Sequence, residues 1–248
     1  MRLIFCLFCL SVFQIKITAQ VINIESKRFL KDTNGFIGKA DLNFNINQNT
    51  SQVISLGVNI HSQYVHNRHR VLAIGDLAFI KAGKQDFVNS GYQHFRYNYK
   101  LSQVLTWEAF VQAQYNRILL LDRRYLAGTG PRFKLVKQPN FRAYTAVLYM
   151  YEYQSQNNDS IESYNNRISS YLTLSLSSKK VEFTSTTFYQ PNLANFDDFR
   201  IANDTAFEII ITGHFNFKVG FNLLYDTKQP IGIPDLTYTL KNGLSYKF

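Results

Sequence analysis

The segment Leu236-Thr-Tyr-Thr-Leu-Lys-Asn-Gly-Leu-Ser-Tyr-Lys-Phe248 alternates almost without a break. Positions 236, 238, 240, 244, 246 and 248 are apolar or aromatic, while 237, 239, 241, 243, 245 and 247 are Thr, Thr, Lys, Gly, Ser and Lys. Successive side chains of a strand point to opposite faces, so a period of two predicts one face in an apolar medium and one in water. Few folds satisfy that demand.

The pattern recurs along the chain. Gly38, Ala40, Leu42, Phe44 and Ile46 alternate with Lys39, Asp41, Asn43, Asn45 and Asn47. Ile54 to Ile60, Leu105 to Tyr115 and Phe215 to Tyr225 behave in the same way. In these strands the apolar face carries no Asp, Glu, Lys or Arg, whereas the other face carries Lys39, Asp41, Glu108, Lys218, Asp226, Lys241 and Lys247. A Lys or Arg facing lipid at mid-bilayer costs about 2–4 kcal/mol, so this segregation suits a membrane barrel. A soluble sandwich or lipocalin-like protein is the competing fold, with its aromatic face turned inward. The 16 Tyr and 21 Phe favour the membrane, because Tyr64, Tyr92, Tyr115, Tyr153, Tyr189 and Tyr225 fall near strand ends, as interfacial girdles require.

Weaker strands near 69–80, 91–101, 124–136, 142–153, 166–176, 181–190 and 199–212 bring the total to twelve. The expected fold is all-β: an antiparallel transmembrane β-barrel of about 12 strands over residues 36–248. Even-numbered connections should be short and periplasmic. Odd-numbered ones should be external and mostly longer: Lys81–Ser90, Arg117–Arg123, Gln154–Asn165, Pro191–Asp198 and Thr227–Asp235. The first hairpin, Asn47–Ser51, is short although it should be external.

Arg2 precedes an apolar run from Leu3 to Phe13, and Ala19 offers a cleavage point, so residues 1–19 read as a secretory signal peptide. The run is too short to span a bilayer. Residues 20–35 would then form a periplasmic lead-in. Cys6 and Cys9 leave with the signal, which excludes disulfide and thiol chemistry from the mature chain. That chain keeps 25 basic against 17 acidic residues, net +8. In an exported protein the excess points to lipopolysaccharide phosphates or to anions crossing a lumen, not to nucleic acid. The expected localisation is the cell outer membrane, as a monomer in contact with outer-membrane lipid and lipopolysaccharide.

Arg167-Ile-Ser-Ser, Tyr189-Gln-Pro191 with Asp198 and Arg200, Tyr225-Asp226 with Pro230, and Leu244-Ser-Tyr-Lys-Phe248 stand in a recognisable order. Gly128-Thr-Gly-Pro-Arg-Phe133 and Tyr149-Met-Tyr-Glu152 precede them. Over roughly residues 90–248 the chain resembles the family called domain of unknown function 481, the salt-induced outer-membrane proteins. The resemblance implies an outer-membrane barrel and brings no activity, ligand or catalytic residue. The terminal Phe248 is similar to the signal read by the outer-membrane barrel assembly machinery, which implies that machinery as a partner.

No catalytic set emerges. His61 and Ser62 are adjacent, so they point to opposite faces and form no dyad. Asp197 and Asp198 have no His on a neighbouring external rim. His66 and His69 would supply only two metal ligands, with Arg68 and Arg70 beside them to repel a cation. No catalytic residue, metal or cofactor is therefore expected.

Inward charges carry more meaning. Arg96, Lys100, Glu108, Asp204, Glu208, Lys218 and Lys241 are the candidates for lining the lumen, with His94 on the face of Arg96. They fit either a narrow ion-selective passage or a charge network that fills the barrel. Gln190, Asp198, Arg200 and Asp226 are the candidates for a rim or loop cluster, in which Asp226 would pair with Arg200. The leading functional reading is a structural barrel or narrow passive pore with a charged lumen. A surface binding or adhesion protein acting through Gln154–Asn165 is the alternative, and a rim enzyme hydrolysing lipid or peptide comes last.

Overall fold

The computed structural model describes residues 34–48, 52–156, 160–212 and 215–246. The expected signal peptide, nearly all of the lead-in, and Phe248 lie outside them. Twelve strands follow one another: β1 (Gly35–Gln48), β2 (Gln52–His66), β3 (His69–Ala82), β4 (Gln85–Lys100), β5 (Leu105–Asn116) and β6 (Leu121–Lys137). Then come β7 (Phe141–Gln156), β8 (Ile161–Ser177), β9 (Val181–Pro191), β10 (Phe199–Ile210), β11 (Phe215–Asp226) and β12 (Leu236–Tyr246). All belong to one antiparallel sheet, each paired with its chain neighbours in the order β1 to β12. The fold class is the expected one.

The sheet is rolled. Tyr171 on β8 donates its hydroxyl to Glu108 on β5 at 3.0 Å, and Arg200 on β10 reaches Glu152 on β7. Strands three apart in a flat sheet stand roughly 14 Å apart, so only curvature lets these side chains meet. The concave face is packed from β4 to β11. On β1, by contrast, Lys39, Asn43 and Asn45 stay exposed.

Register settles the two faces. Partners such as Phe36–Tyr64, Val71–Tyr97, Val111–Ala127, Tyr149–Ile168 and Phe221–Leu240 share the convex side. Exposed there are Leu42, Phe95, Val111, Val147, Leu172 and Leu240. Convex aromatics gather at both rims. Tyr125, Tyr153 and Tyr164 pack ring against ring in series, as do Tyr189, Phe199 and Tyr225, along the rim of the odd-numbered connections, here the upper rim. His69 packs on Tyr97 and Tyr99 at the opposite, lower rim. Tyr92 departs from the expected girdle: it is concave and buried, packed on Leu72, Ile74 and His94. Its neighbours Gly91 and Gln93 take the convex positions, opposite Tyr115 and Ala113.

The concave face is not uniformly polar. Phe110, Ala146, Leu148, Met150, Tyr171, Phe188, Ala202 and Leu224 form one buried apolar cluster inside the roll. Burying each large side chain contributes about 1.5–3 kcal/mol. Gly130 lets β6 and β7 approach, since a Cβ there would stand 2.3 Å from the Val147 carbonyl oxygen.

Two expected long loops are largely strand. β3 and β4 join through Gly83 and Lys84 alone, replacing Lys81–Ser90, and Gly83 takes φ 59° as a tight hairpin demands. β7 runs to Gln156 and β8 starts at Ile161, so most of Gln154–Asn165 is ladder. Polar composition had suggested a loop, but a hairpin projecting beyond the apolar belt is polar too.

Candidate functional site

Glu152, on β7 just above Met150, is wholly buried. Arg167 on β8 donates its Nε to Glu152 Oε2 at 2.7 Å, Arg200 on β10 donates to Oε1, and Arg124 on β6 approaches Oε1 to 3.1 Å. The three guanidiniums then spread to other acceptors. Arg200 Nε donates to Asp226 Oδ2 at 2.6 Å, and Arg200 Nη2 to Gln154 Oε1 at 3.2 Å. Arg124 shares that Gln154 oxygen, with its Nε at 2.8 Å. Arg167 Nη2 donates to Asp198 Oδ1 at 2.8 Å, and its Nη1 to the carbonyl oxygens of Gln190 and Asp198. Asn192 donates to Asp198 Oδ2, closing the connection from β9 to β10 over the cluster.

Three arginines therefore meet three carboxylates in a neutral lattice near the upper rim. Isolated charges would be expensive to bury, and only complete pairing makes such a site tolerable.

A second cluster lies toward the lower rim. Arg96 Nη1 donates to Glu108 Oε2 at 2.8 Å, and Arg132 Nε lies 3.7 Å from Glu108 Oε1. His94 receives Arg96 Nε at its Nε2 and donates from Nδ1 to Gln112, so a proton on Nδ1 satisfies both contacts. Arg96 also lies over the Phe110 ring at 5.0 Å, and Arg132 over Tyr144 at 3.9 Å. Between the two clusters a gap of about 30 Å3 touches His94, Arg96, Met150, Phe188 and Arg200, enough for one or two waters.

All seven lumen candidates lie on the concave face, but they do not converge. Arg96 and Glu108 form the second cluster, and Lys218 Nζ reaches Glu208 at 3.4 Å elsewhere. Asp204 accepts from Asn222. Lys100 and Lys241 are exposed at their strand positions. The four rim candidates do converge. Gln190, Asp198, Arg200 and Asp226 all belong to the Glu152 lattice, and Arg200 faces Asp226 across the β10–β11 ladder.

Glu152, Arg124, Arg167 and Gln154 were missed as site residues. Arg167 and Glu152 stand inside the quoted motifs, and an Arg and a Glu on inward positions of adjacent strands were the available signal. His66 and His69 face each other across the β2–β3 ladder, but their rings contact Asn67 and Tyr97 respectively.

Comparison with known proteins returns no curated relative. Among solved structures, this chain is similar to the NanC porin in its rhombohedral crystal form, with 10% identity and a TM-score of 0.48, covering 78% of this chain and 94% of that one. The family described as "Protein of unknown function, DUF481" matches residues 40–248, well upstream of where the motifs thin out. With that extent of match, the chain belongs to the DUF481 family.

Proposed function

We propose that this protein is an outer-membrane β-barrel whose lumen is closed by side chains, a structural barrel and not an open, general pore. The carrying observation is the Glu152 lattice: Glu152 and Arg167 are buried at 0% and 1% exposure, directly above Leu148 and Met150 at 1%. An open channel would leave lumenal charges wet. The apolar convex belt and the two aromatic rims support the membrane placement. In lipid the free edges of β1 and β12 have no partner but each other, so the roll closes there. Convex side chains then meet lipid, and the upper rim meets lipopolysaccharide.

Planar-bilayer recording of refolded protein tests the reading. Wild type should conduct little, and Arg167→Ala, which opens the lattice while leaving the apolar cluster, should raise conductance. Steady large conductance from wild type would sink it.

A narrow passage remains the second reading, favoured by the gap of about 30 Å3 beside Arg96 and Arg200. Any ion selectivity would then come from exposed Lys100 and Lys241, because Arg96 is already committed to Glu108.

A further inference from the structure

The convex face is not apolar throughout. Ser185, Thr187, Asn203 and Thr205 stand together on it, in the facing pairs Thr187–Asn203 and Ser185–Thr205 of the β9–β10 ladder. Apolar residues surround them: Leu172 and Leu174 on β8, Phe221 and Leu223 on β11, and the Phe183–Phe207 ring pair below. Tyr189 of the upper aromatic rim is two residues above Thr187, about 7 Å along the strand. The four polar residues therefore form an island inside the apolar belt.

The island satisfies itself with one donor to spare. Asn203 Nδ2 donates to Thr187 Oγ1 at 2.9 Å and to Ser185 Oγ at 3.1 Å, and lies 3.4 Å from the Thr186 carbonyl oxygen. Thr205 Oγ1 donates to Asn203 Oδ1 at 2.9 Å, so across the 2.8 Å contact between Ser185 and Thr205 it is Ser185 that donates. Every donor is then used except the hydroxyl of Thr187, the exposed member, which accepts from Asn203 and has no acceptor of its own among the described residues. Asn203 Oδ1 keeps a second lone pair beside it.

We propose that this island is the contact surface between two copies of the chain, in place of the monomer expected from the sequence. A hydroxyl facing hydrocarbon without an acceptor is costly. A lipid tail offers Thr187 no acceptor, and a lipid headgroup lies higher, at the rim. A second island supplies one. The spare donor and the spare acceptor sit side by side across the ladder, so a two-fold axis between them sets Thr187 of each copy over Asn203 of the other, reciprocally. The same rotation turns Leu172 of one copy toward Leu223 of the other. Ser, Thr and Asn side chains that bond across a contact inside the membrane hold such pairs together. This dimer requires the membrane placement proposed for the convex face, since in water solvent would satisfy the island.

Sedimentation of the detergent-folded full chain, over a range of protein-to-detergent ratios, is the test. A reversible dimer is expected. Thr187 contributes once from each copy, so Thr187→Val, which keeps the shape and removes the hydroxyl, should weaken the dimer about tenfold or more. Thr187→Ser should restore it, and Val111→Thr, which adds a hydroxyl to the convex face of β5, should leave it unchanged. A second measurement keeps the island intact, should Thr187→Val lack the heat-shifted folded band. Vesicles holding Leu172→Cys and Leu223→Cys chains together should give disulfide-linked pairs on oxidation, whereas Val111→Cys chains should not. A monomer at every ratio, no linkage between the Leu172→Cys and Leu223→Cys chains, or equal weakening by Thr187→Val and Val111→Thr would overturn the dimer and leave the membrane barrel standing. A folded chain that stays in solution without detergent would overturn both.

Discussion

Arg200 and Asp226 stand opposite each other across the β10–β11 ladder, and the guanidinium Nε donates to Asp226 Oδ2 at 2.6 Å, both side chains almost fully buried. From that pair Arg200 extends inward to Glu152, so one residue links the upper rim to the centre of the roll. Removing either partner strands a buried charge, which typically costs about 3–5 kcal/mol. Arg200→Met and Asp226→Leu should each lower the unfolding free energy of the refolded protein, read from urea titration, by that order. The double variant should lose clearly less than the sum, and strict additivity would show that the pair is not coupled.

Glu152→Gln asks more of the lattice, because it removes a negative charge from among three arginines at nearly constant volume. About 3 kcal/mol or more of stability should be lost. Refolding yield, read by heat-modifiable gel migration, should fall while synthesis stays normal. A yield equal to wild type would mean that the arginines find other acceptors.

Gly130 and Gly220 form a matched pair for backbone packing. A Cβ at Gly130 would lie 2.3 Å from the Val147 carbonyl oxygen and 2.7 Å from Leu148 Cα, whereas one at Gly220 meets nothing within 4 Å. Gly130→Ala should cost about 1–3 kcal/mol as overpacking, and Gly220→Ala should be close to neutral. Equal thermal stabilities of the two variants would contradict this packing.

Val111 lies mid-strand on the convex face, more than half exposed. If that face meets lipid, Val111→Arg costs about 2–4 kcal/mol. If it meets water, the change is nearly silent. Refolding into vesicles, compared with a Thr106→Arg control on the concave face, distinguishes the two.

Closure of the roll is testable with cysteines, since the chain beyond residue 19 has none of its own. Cysteine at Ala40 paired with single cysteines stepped from 237 to 243 should cross-link with a period of two, at even positions that share its face. No cross-link at any position would leave β1 and β12 unjoined.

What the sequence determined by itself is what is local. Alternation placed all twelve strands, though it missed the first five or six residues of β4 and β8, and it assigned Lys39, Glu108, Lys218 and Asp226 to one face, because a strand's side-chain period is a property of its own backbone. The sequence offered Arg200 and Asp226 as candidate partners at a similar height, but the register that sets them opposite each other belongs to the folded ladder. Strand pairing alone did not reveal Glu152 as the hub. Its partners Arg124, Arg167 and Arg200 come from β6, β8 and β10, and Arg200 meets it only because the sheet curls. The same curvature gathers Arg68, Arg70, Lys100, Arg132 and Lys134 around one cavity. It also buries Phe110, Phe188 and Leu224 together on a face that reads as polar strand by strand. Roll and stagger arise from twelve strands acting together, so no single segment encodes which inward residues will touch.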